Sequence, residues 1–217
     1  MAPDLRFPRG LYGITPEWDD TPALLQAISQ AAQGGMVALQ WRRKNLTPSA
    51  RFDQAQKVVQ LCKTLGVVSI INDDWELAAN THADGVHLGR DDGNLTQARH
   101  ALGPKAVIGC SCYNELDRAE QALRDGADYI AFGALYPSNV KPNAPRATLE
   151  HIRQGLELTQ KYTHNGKRAA VVTIGGIGPE NAAPLIQAGA DSIAVITALF
   201  EANDVRESAR QCTALFA

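Results

Sequence analysis

Two stretches of this chain, Gly126-Ala127-Asp128-Tyr129-Ile130-Ala131-Phe132-Gly133 and Gly189-Ala190-Asp191-Ser192-Ile193-Ala194-Val195-Ile196-Thr197, follow one pattern. A glycine and an Ala-Asp pair lead into a short apolar run. A third copy, Ala83-Asp84-Gly85-Val86-His87-Leu88-Gly89, keeps the Ala-Asp pair without the preceding glycine. The pattern reads as a helix ending at glycine, a tight turn, and the start of a strand. Reuse of one such junction suits a rotationally repeated barrel. An open doubly wound sheet usually has fewer strands.

Outward from these junctions, β-branched runs recur at residues 11–15, 37–42, 68–72, 85–89, 107–111, 129–133, 169–175 and 192–197. Most are nearly continuous apolar runs, as expected of parallel strands covered on both faces. Helical signals lie between them. Asp20-Thr21-Pro22 precedes an Ala/Leu/Ile-rich segment, with the proline suited to a first helical turn. Thr47-Pro48 opens another that carries Phe52, Ala55, Val58, Val59 and Cys62 at helical spacing, and Gly66 stops it. Pro179 opens a later helix that Gly189 closes. Strand alternating with helix eight times predicts a single (β/α)8 TIM barrel, one α/β domain over residues 1–217.

The chain length of 217 residues suffices for such a barrel with few insertions. A hydrophobic fraction of 45% is ordinary for a soluble globular protein. A net charge of -2 provides no basic excess for nucleic acid, so none is expected as a partner. No run reaches the roughly 18 apolar residues of a membrane span, and the first ten residues form no signal segment. No membrane association is expected, and a cytoplasmic location follows by default. Cys62, Cys110, Cys112 and Cys212 lack zinc-site spacing and are expected as reduced structural thiols, with Cys110 and Cys112 on one strand face. A homo-oligomer is left open.

Barrel active sites sit at the C-terminal ends of the strands. Read in that way, the chain gathers Gln40, Trp41, Arg42, Arg43 and Lys44 after strand two, Asn72, Asp73 and Asp74 after strand three, and Arg90, Asp91 and Asp92 after strand four. Strand five ends at Ser111, and strand six leads to Ser138, Val140 and Lys141. Gly175 and Gly176 close strand seven and Thr197 closes strand eight. A glycine-rich loop that opens a helix lets backbone N–H groups approach a phosphate, which predicts phosphate binding at strands seven and eight. Asp73 and Asp92, on neighbouring strands, are either hard oxygen ligands for magnesium (Mg2+) or an acid/base carboxylate pair. Asp74 and Asp91 compete for the same part or cap helices. Arg42, Lys44 and Lys141 are placed to neutralise a polyphosphate. Trp41 either packs or stacks on a heterocycle, and His87 is expected as a structural strand histidine. No Ser/His/Asp or Cys/His arrangement is evident.

Taken together, Tyr12-Gly13-Ile14-Thr15, Gln40-Trp41-Arg42-Arg43-Lys44, Asn72-Asp73, Gly85-Val86-His87-Leu88-Gly89-Arg90-Asp91-Asp92, Ile108-Gly109-Cys110-Ser111, Lys141 and Ile174-Gly175-Gly176-Ile177 with Asn181 resemble the thiamine phosphate synthase family over nearly the whole chain. The resemblance implies a transferase of small-molecule substrates. A hydroxymethylpyrimidine diphosphate would join a hydroxyethylthiazole phosphate through a dissociative pyrimidine cation, releasing pyrophosphate. It also implies magnesium on Asp73 and Asp92, and diphosphate binding by Arg42, Lys44, Asn72 and Lys141. Lys141, Ser111 and Arg42 would be catalytic, with Gln40 and Ser111 orienting the pyrimidine or its diphosphate. Ser138 and Val140 would lie against substrate, and Gly175, Gly176, Ile196 and Thr197 against the thiazole phosphate. Residues 138–146 would form a lid.

Five positions depart from the family pattern. Ser138-Asn139-Val140-Lys141 replaces Thr-x-Thr-Lys, Tyr113 replaces a common histidine, Thr197 replaces serine, and Arg90 replaces glutamine. Rival readings are a thiazole tautomerase on the same fold, a non-catalytic barrel that binds thiamine precursors, and an unrelated phosphate-binding barrel enzyme.

Overall fold

The computed structural model describes residues 4–137 and 146–217. The eight apolar runs form β1 (Gly10–Ile14), β2 (Ala38–Trp41), β3 (Val68–Asn72), β4 (Gly85–Leu88), β5 (Val107–Tyr113), β6 (Tyr129–Phe132), β7 (Ala170–Ile174) and β8 (Ser192–Val195). All pair in parallel, in chain order, and β8 returns to β1 to close the barrel. The intervening helices are α1 (Thr21–Gln33), α2 (Pro48–Leu65), α3 (Trp75–Thr81), α4 (Leu95–Leu102), α5 (Leu116–Arg124), α6 (Leu149–Lys161) and α7 (Ala183–Gln187). After β8 come α8 (Thr197–Phe200) and α9 (Val205–Ala214). Among the described residues no helix is long and apolar enough to cross a membrane.

The period-two rule of strands divides the core into two shells. Tyr12, Ile14, Ala38, Ile70, Tyr129, Ala131, Ala170, Val172 and Ala194 fill the barrel, and Phe7 packs beneath against both tyrosines. Leu11, Leu39, Trp41, Ile71, Val86, Ile108, Ile130 and Ile193 face the helices. Trp41 therefore packs rather than stacks on a ligand, with its indole N–H donating to Gln54 Oε1 at 3.1 Å. Asp20 and Thr47 cap α1 and α2, and Gly66 ends α2, as the sequence predicts. Cys110 and Cys112 both lie in the outer shell, and all four cysteines are free.

The repeated Ala-Asp junction has a physical meaning. Each aspartate stands at the foot of an even-numbered strand and reaches back to the preceding odd one. Asp84 accepts from Ser69 N, Asp128 from Ile108 N and Asp191 from Val171 N, each at 2.8 Å. Two of these carboxylates are also ion-paired. Asp191 receives both terminal nitrogens of Arg168 at 2.7 Å, and Asp128 meets Arg99 and Arg6. This ring satisfies strand N–H groups at the end of the barrel away from the predicted site.

Two boundaries differ from the sequence reading. The helix expected to open at Pro179 begins at Ala183. Asn181 instead ties the loop to itself, its Oδ1 accepting from Gly178 N and its Nδ2 donating to Gly176 O, both at 2.9 Å. Such side-chain bonding to nearby backbone competes with helix. The last strand, read through Thr197, stops at Val195, because the amides of Leu199 and Phe200 bond back to Ile196 O.

Candidate active site

The C-terminal rim gathers the polar residues that follow β2 to β5. From β2, the chain turns where Arg42 N donates to Thr15 Oγ1 at 2.8 Å, which anchors the basic segment to the end of β1. Three consecutive residues then converge on Glu17, a residue the sequence reading passed over. Its carboxylate meets Arg42 Nη1 at 3.1 Å, Arg43 Nε at 3.5 Å and Lys44 N at 3.2 Å. Arg43 also donates to Asp19 at 2.6 Å and is buried, with Nε and Nη1 lacking a hydrogen bond. Lys44 extends across to β3, its Nζ 3.7 Å from Asp73 Oδ2.

Asp73 follows β3 with a left-handed backbone, φ 65°, and its N–H donates to His87 O at 2.8 Å. That bond ties the acidic turn to β4, from which Asp92 is reached. Asp92 folds back so that Oδ2 accepts from Gly89 N at 2.9 Å. Burial raises the Asp73 carboxyl above its ordinary value, and facing Asp92 raises it further, while Lys44 and Asn72 pull it down. Two carboxylates turned on one another are the arrangement a hard cation relieves. Asp74 is not part of this pair. It caps α3, accepting from Leu77 N at 2.8 Å, and pairs with Arg51 at 3.4 Å.

The donor set fits magnesium. Among the described residues no group of three or more His, Cys, Asp or Glu side chains could hold a metal. Mg2+ is commonly held by one or two carboxylates while substrate phosphate and water complete its shell. Beside the pair lies a cleft of about 460 Å³ whose walls include Arg43, Lys44, Asn72, Asp73 and Trp75.

Deeper in the barrel, Gln40 and Ser111 lie on one connected set of side chains. Gln40 Nε2 donates to Tyr12 Oη at 2.8 Å, and Tyr12 Oη lies 2.9 Å from Tyr129 Oη. His87 joins Tyr129 through Nδ1 at 2.9 Å and Ser111 Oγ through Nε2 at 2.7 Å. Burial pushes the imidazole down to about 4 and both phenols up, so all three are neutral near neutral pH. His87 is thus a buried strand histidine, as expected, and also a direct partner of a predicted site residue. Ser111 is held from behind by Arg118, whose Nε donates to Ser111 O at 2.6 Å while Nη2 donates to Gly89 O at 3.0 Å. Two of the family departures meet here: the Arg90 guanidinium lies 5.2 Å from the Tyr113 ring centroid.

Across the barrel, β7 and β8 pair with Ile174 beside Ala194, so Gly175-Gly176 and Ile196-Thr197 leave adjacent strands at one end. Both glycines have positive φ, 105° and 64°. A Cβ would fall 2.6 Å from Ala134 Cβ at Gly175 and 2.6 Å from Pro137 O at Gly176. Ile196 faces the barrel interior, and Thr197 is exposed at the start of α8. Ser138, Val140, Lys141 and the rest of the expected lid up to residue 145 lie outside the described residues.

Comparison with known proteins agrees with this picture. Residues 11–199 match the family model described as thiamine monophosphate synthase. A thiamine-phosphate synthase of Bordetella avium is 53% identical over 98% of this chain and 97% of its own. One from Thiobacillus denitrificans is 47% identical over 97% and 96%. A solved thiamine phosphate pyrophosphorylase from Pyrococcus furiosus superposes with a TM-score of 0.81 at 29% identity, covering 97% of this chain and 96% of that one. Orotidine 5'-phosphate decarboxylase from Pyrococcus horikoshii, at 15% identity and a TM-score of 0.67, shares the fold alone.

Proposed function

This chain belongs to the thiamine monophosphate synthase family, and from that premise we infer that it is a transferase joining a hydroxymethylpyrimidine diphosphate to a hydroxyethylthiazole phosphate, with release of pyrophosphate. The observation that supports this most is the opposition of charge on the rim. Asp73 and Asp92 face one another and Lys44 approaches Asp73, while Arg42, two residues earlier in the same basic segment, pairs with Glu17. Such a mixed cluster suits a metal-bound diphosphate.

In this reading Asp73 and Asp92 hold Mg2+, which when bound offsets negative charge on the diphosphate oxygens. Arg42, Lys44 and Asn72 bind the same diphosphate, and Gln40 and Ser111 orient the pyrimidine. The bond from the pyrimidine methylene to the diphosphate breaks first, and its electron pair departs with pyrophosphate. The electron-rich ring carries the resulting cation until the thiazole nitrogen attacks the methylene. Lys141, with Ser138 and Val140 nearby in sequence, is proposed to assist that departure. Gly175, Gly176, Ile196 and Thr197 are proposed to seat the thiazole phosphate. The step needs placement and charge stabilisation far more than proton transfer, in keeping with an imidazole at His87 that burial keeps neutral. A cytoplasmic location accords with four free cysteines.

The test is to supply both substrates with magnesium and measure thiamine phosphate and pyrophosphate together. One pyrophosphate per thiamine phosphate, abolished by a chelator and restored by magnesium, is the expected result. Binding of the thiazole phosphate without any product would discard the reading.

A further inference from the structure

The buried chain from Gln40 to Ser111 has five members, and only its two ends are assigned to substrate. We propose that the three middle members, Tyr12, Tyr129 and His87, are positioning residues that fix the hydrogen-bond polarity of both ends, so that the barrel presents an acceptor at Gln40 and a donor at Ser111 to an aminopyrimidine edge. This rests on the synthase reading above.

The protons along the chain can be counted. A phenol has one proton to donate, and a neutral imidazole has one N–H and one bare nitrogen. Gln40 Nε2 donates to Tyr12, so the Tyr12 proton goes to Tyr129. The Tyr129 proton then goes to His87 Nδ1. Nδ1 is therefore bare, Nε2 carries the imidazole proton, and Ser111 Oγ receives it. Ser111 is left with its own O–H to donate. At the other end, the amide is turned so that Oε1 is its acceptor, with no partner among the described residues. Reversing any internal link reverses all of them. Ser111 would then donate to His87, and Gln40 would accept from Tyr12, leaving only N–H donors. The direction of the chain thus selects between two opposite recognition patterns.

A 4-aminopyrimidine carries an N–H donor on its exocyclic amine beside an acceptor ring nitrogen. That edge matches an acceptor at Gln40 and a donor at Ser111. A 4-oxo pyrimidine carries the reverse pair and mismatches both ends. A site built to satisfy polar groups rejects the wrong edge because its own groups stay unpaired. The residues around the chain favour rigidity. Tyr12 and Tyr129 are fully buried, their rings pack edge to face at 5.9 Å, and the imidazole stacks on Tyr129 at 5.5 Å. Gly109 makes room for this, since a Cβ there would fall 1.9 Å from Tyr129 Cζ.

The test compares wild type with Tyr129→Phe and Tyr12→Phe, which remove one hydroxyl each and keep the packed rings. Calorimetry would give dissociation constants for hydroxymethylpyrimidine monophosphate and its 4-oxo counterpart, so no turnover is required. Wild type should favour the amino compound, and each variant should lose about tenfold of that preference. Thiazole phosphate affinity should be unchanged. Long-range 1H–15N spectra, with His87 assigned by comparison with His87→Asn, should show a single Nε2–H tautomer in wild type and a mixture in Tyr129→Phe. An Nδ1–H tautomer in wild type, or an equal loss of affinity for both pyrimidines in the variants, would overturn the proposal while leaving the synthase reading intact. Failure of wild type to bind the amino compound would instead remove the reading beneath it.

Discussion

Both ends of the barrel carry charged side chains and use them in opposite ways. At the foot, Asp128 and Asp191 are matched to Arg99, Arg6 and Arg168, and each also accepts a strand N–H. At the rim, Asp73 and Asp92 oppose one another, and Lys44, more than half exposed, gives Asp73 only partial relief. Charges that stabilise the fold are largely buried and paired with opposite charge. Charges that await a ligand are half-exposed and incomplete, which is how strain gathers at functional sites.

The contrast can be broken most forcefully at the foot. Asp191→Ala leaves Arg168 buried without a partner and opens the Val171 amide. It should cost about 3–5 kcal/mol of stability, measured by denaturant unfolding. Activity per folded molecule should stay near wild type, and a loss of turnover without loss of stability would erase the distinction between the two ends. Asp92→Ala should do the reverse, lowering kcat by about 10²–10³-fold in magnesium with a melting temperature close to wild type. Unchanged steady-state kinetics would remove Asp92 from the site. The finest cut is Asp73→Asn in a chelator. Relief of the opposed charges should raise stability there by about 0.5–1 kcal/mol, while turnover assayed separately in magnesium collapses, and thermal unfolding that shows a clear decrease would mean the pair is not frustrated.

The same contrast marks what the sequence could reveal. The Ala-Asp repeat disclosed the barrel because each foot junction is local, made of contiguous residues that repeat with the architecture. The placement of Asp73, Asp92 and Lys44 on the rim was legible because residues just past the strand ends gather there, so position in the chain predicts position on the rim. Asp74 could not be separated from Asp73 by that rule, since capping depends on which of two neighbours turns toward Leu77 N. The Tyr12–Tyr129–His87 chain was harder still. Its members sit on β1, β6 and β4, and nothing local links them. Strand parity could have placed all three inside the barrel, but only the register decides that their polar atoms meet. Glu17 was missed because a carboxylate after a strand reads as a solvated loop residue until three basic neighbours turn back on it. The start of α7 and the end of β8 differ from the sequence pattern because Asn181 bonds its own loop and Ile196 accepts two amides.

If the reading above is right, the rim holds its unbalanced charges for a magnesium-bound diphosphate. The most direct measurement is the melting temperature of the wild-type protein with magnesium alone, inorganic pyrophosphate alone, and both, set beside Asp92→Asn. Wild type should show a rise only when both are present, and Asp92→Asn should show none. A rise with pyrophosphate alone, equal in the two proteins, would contradict it.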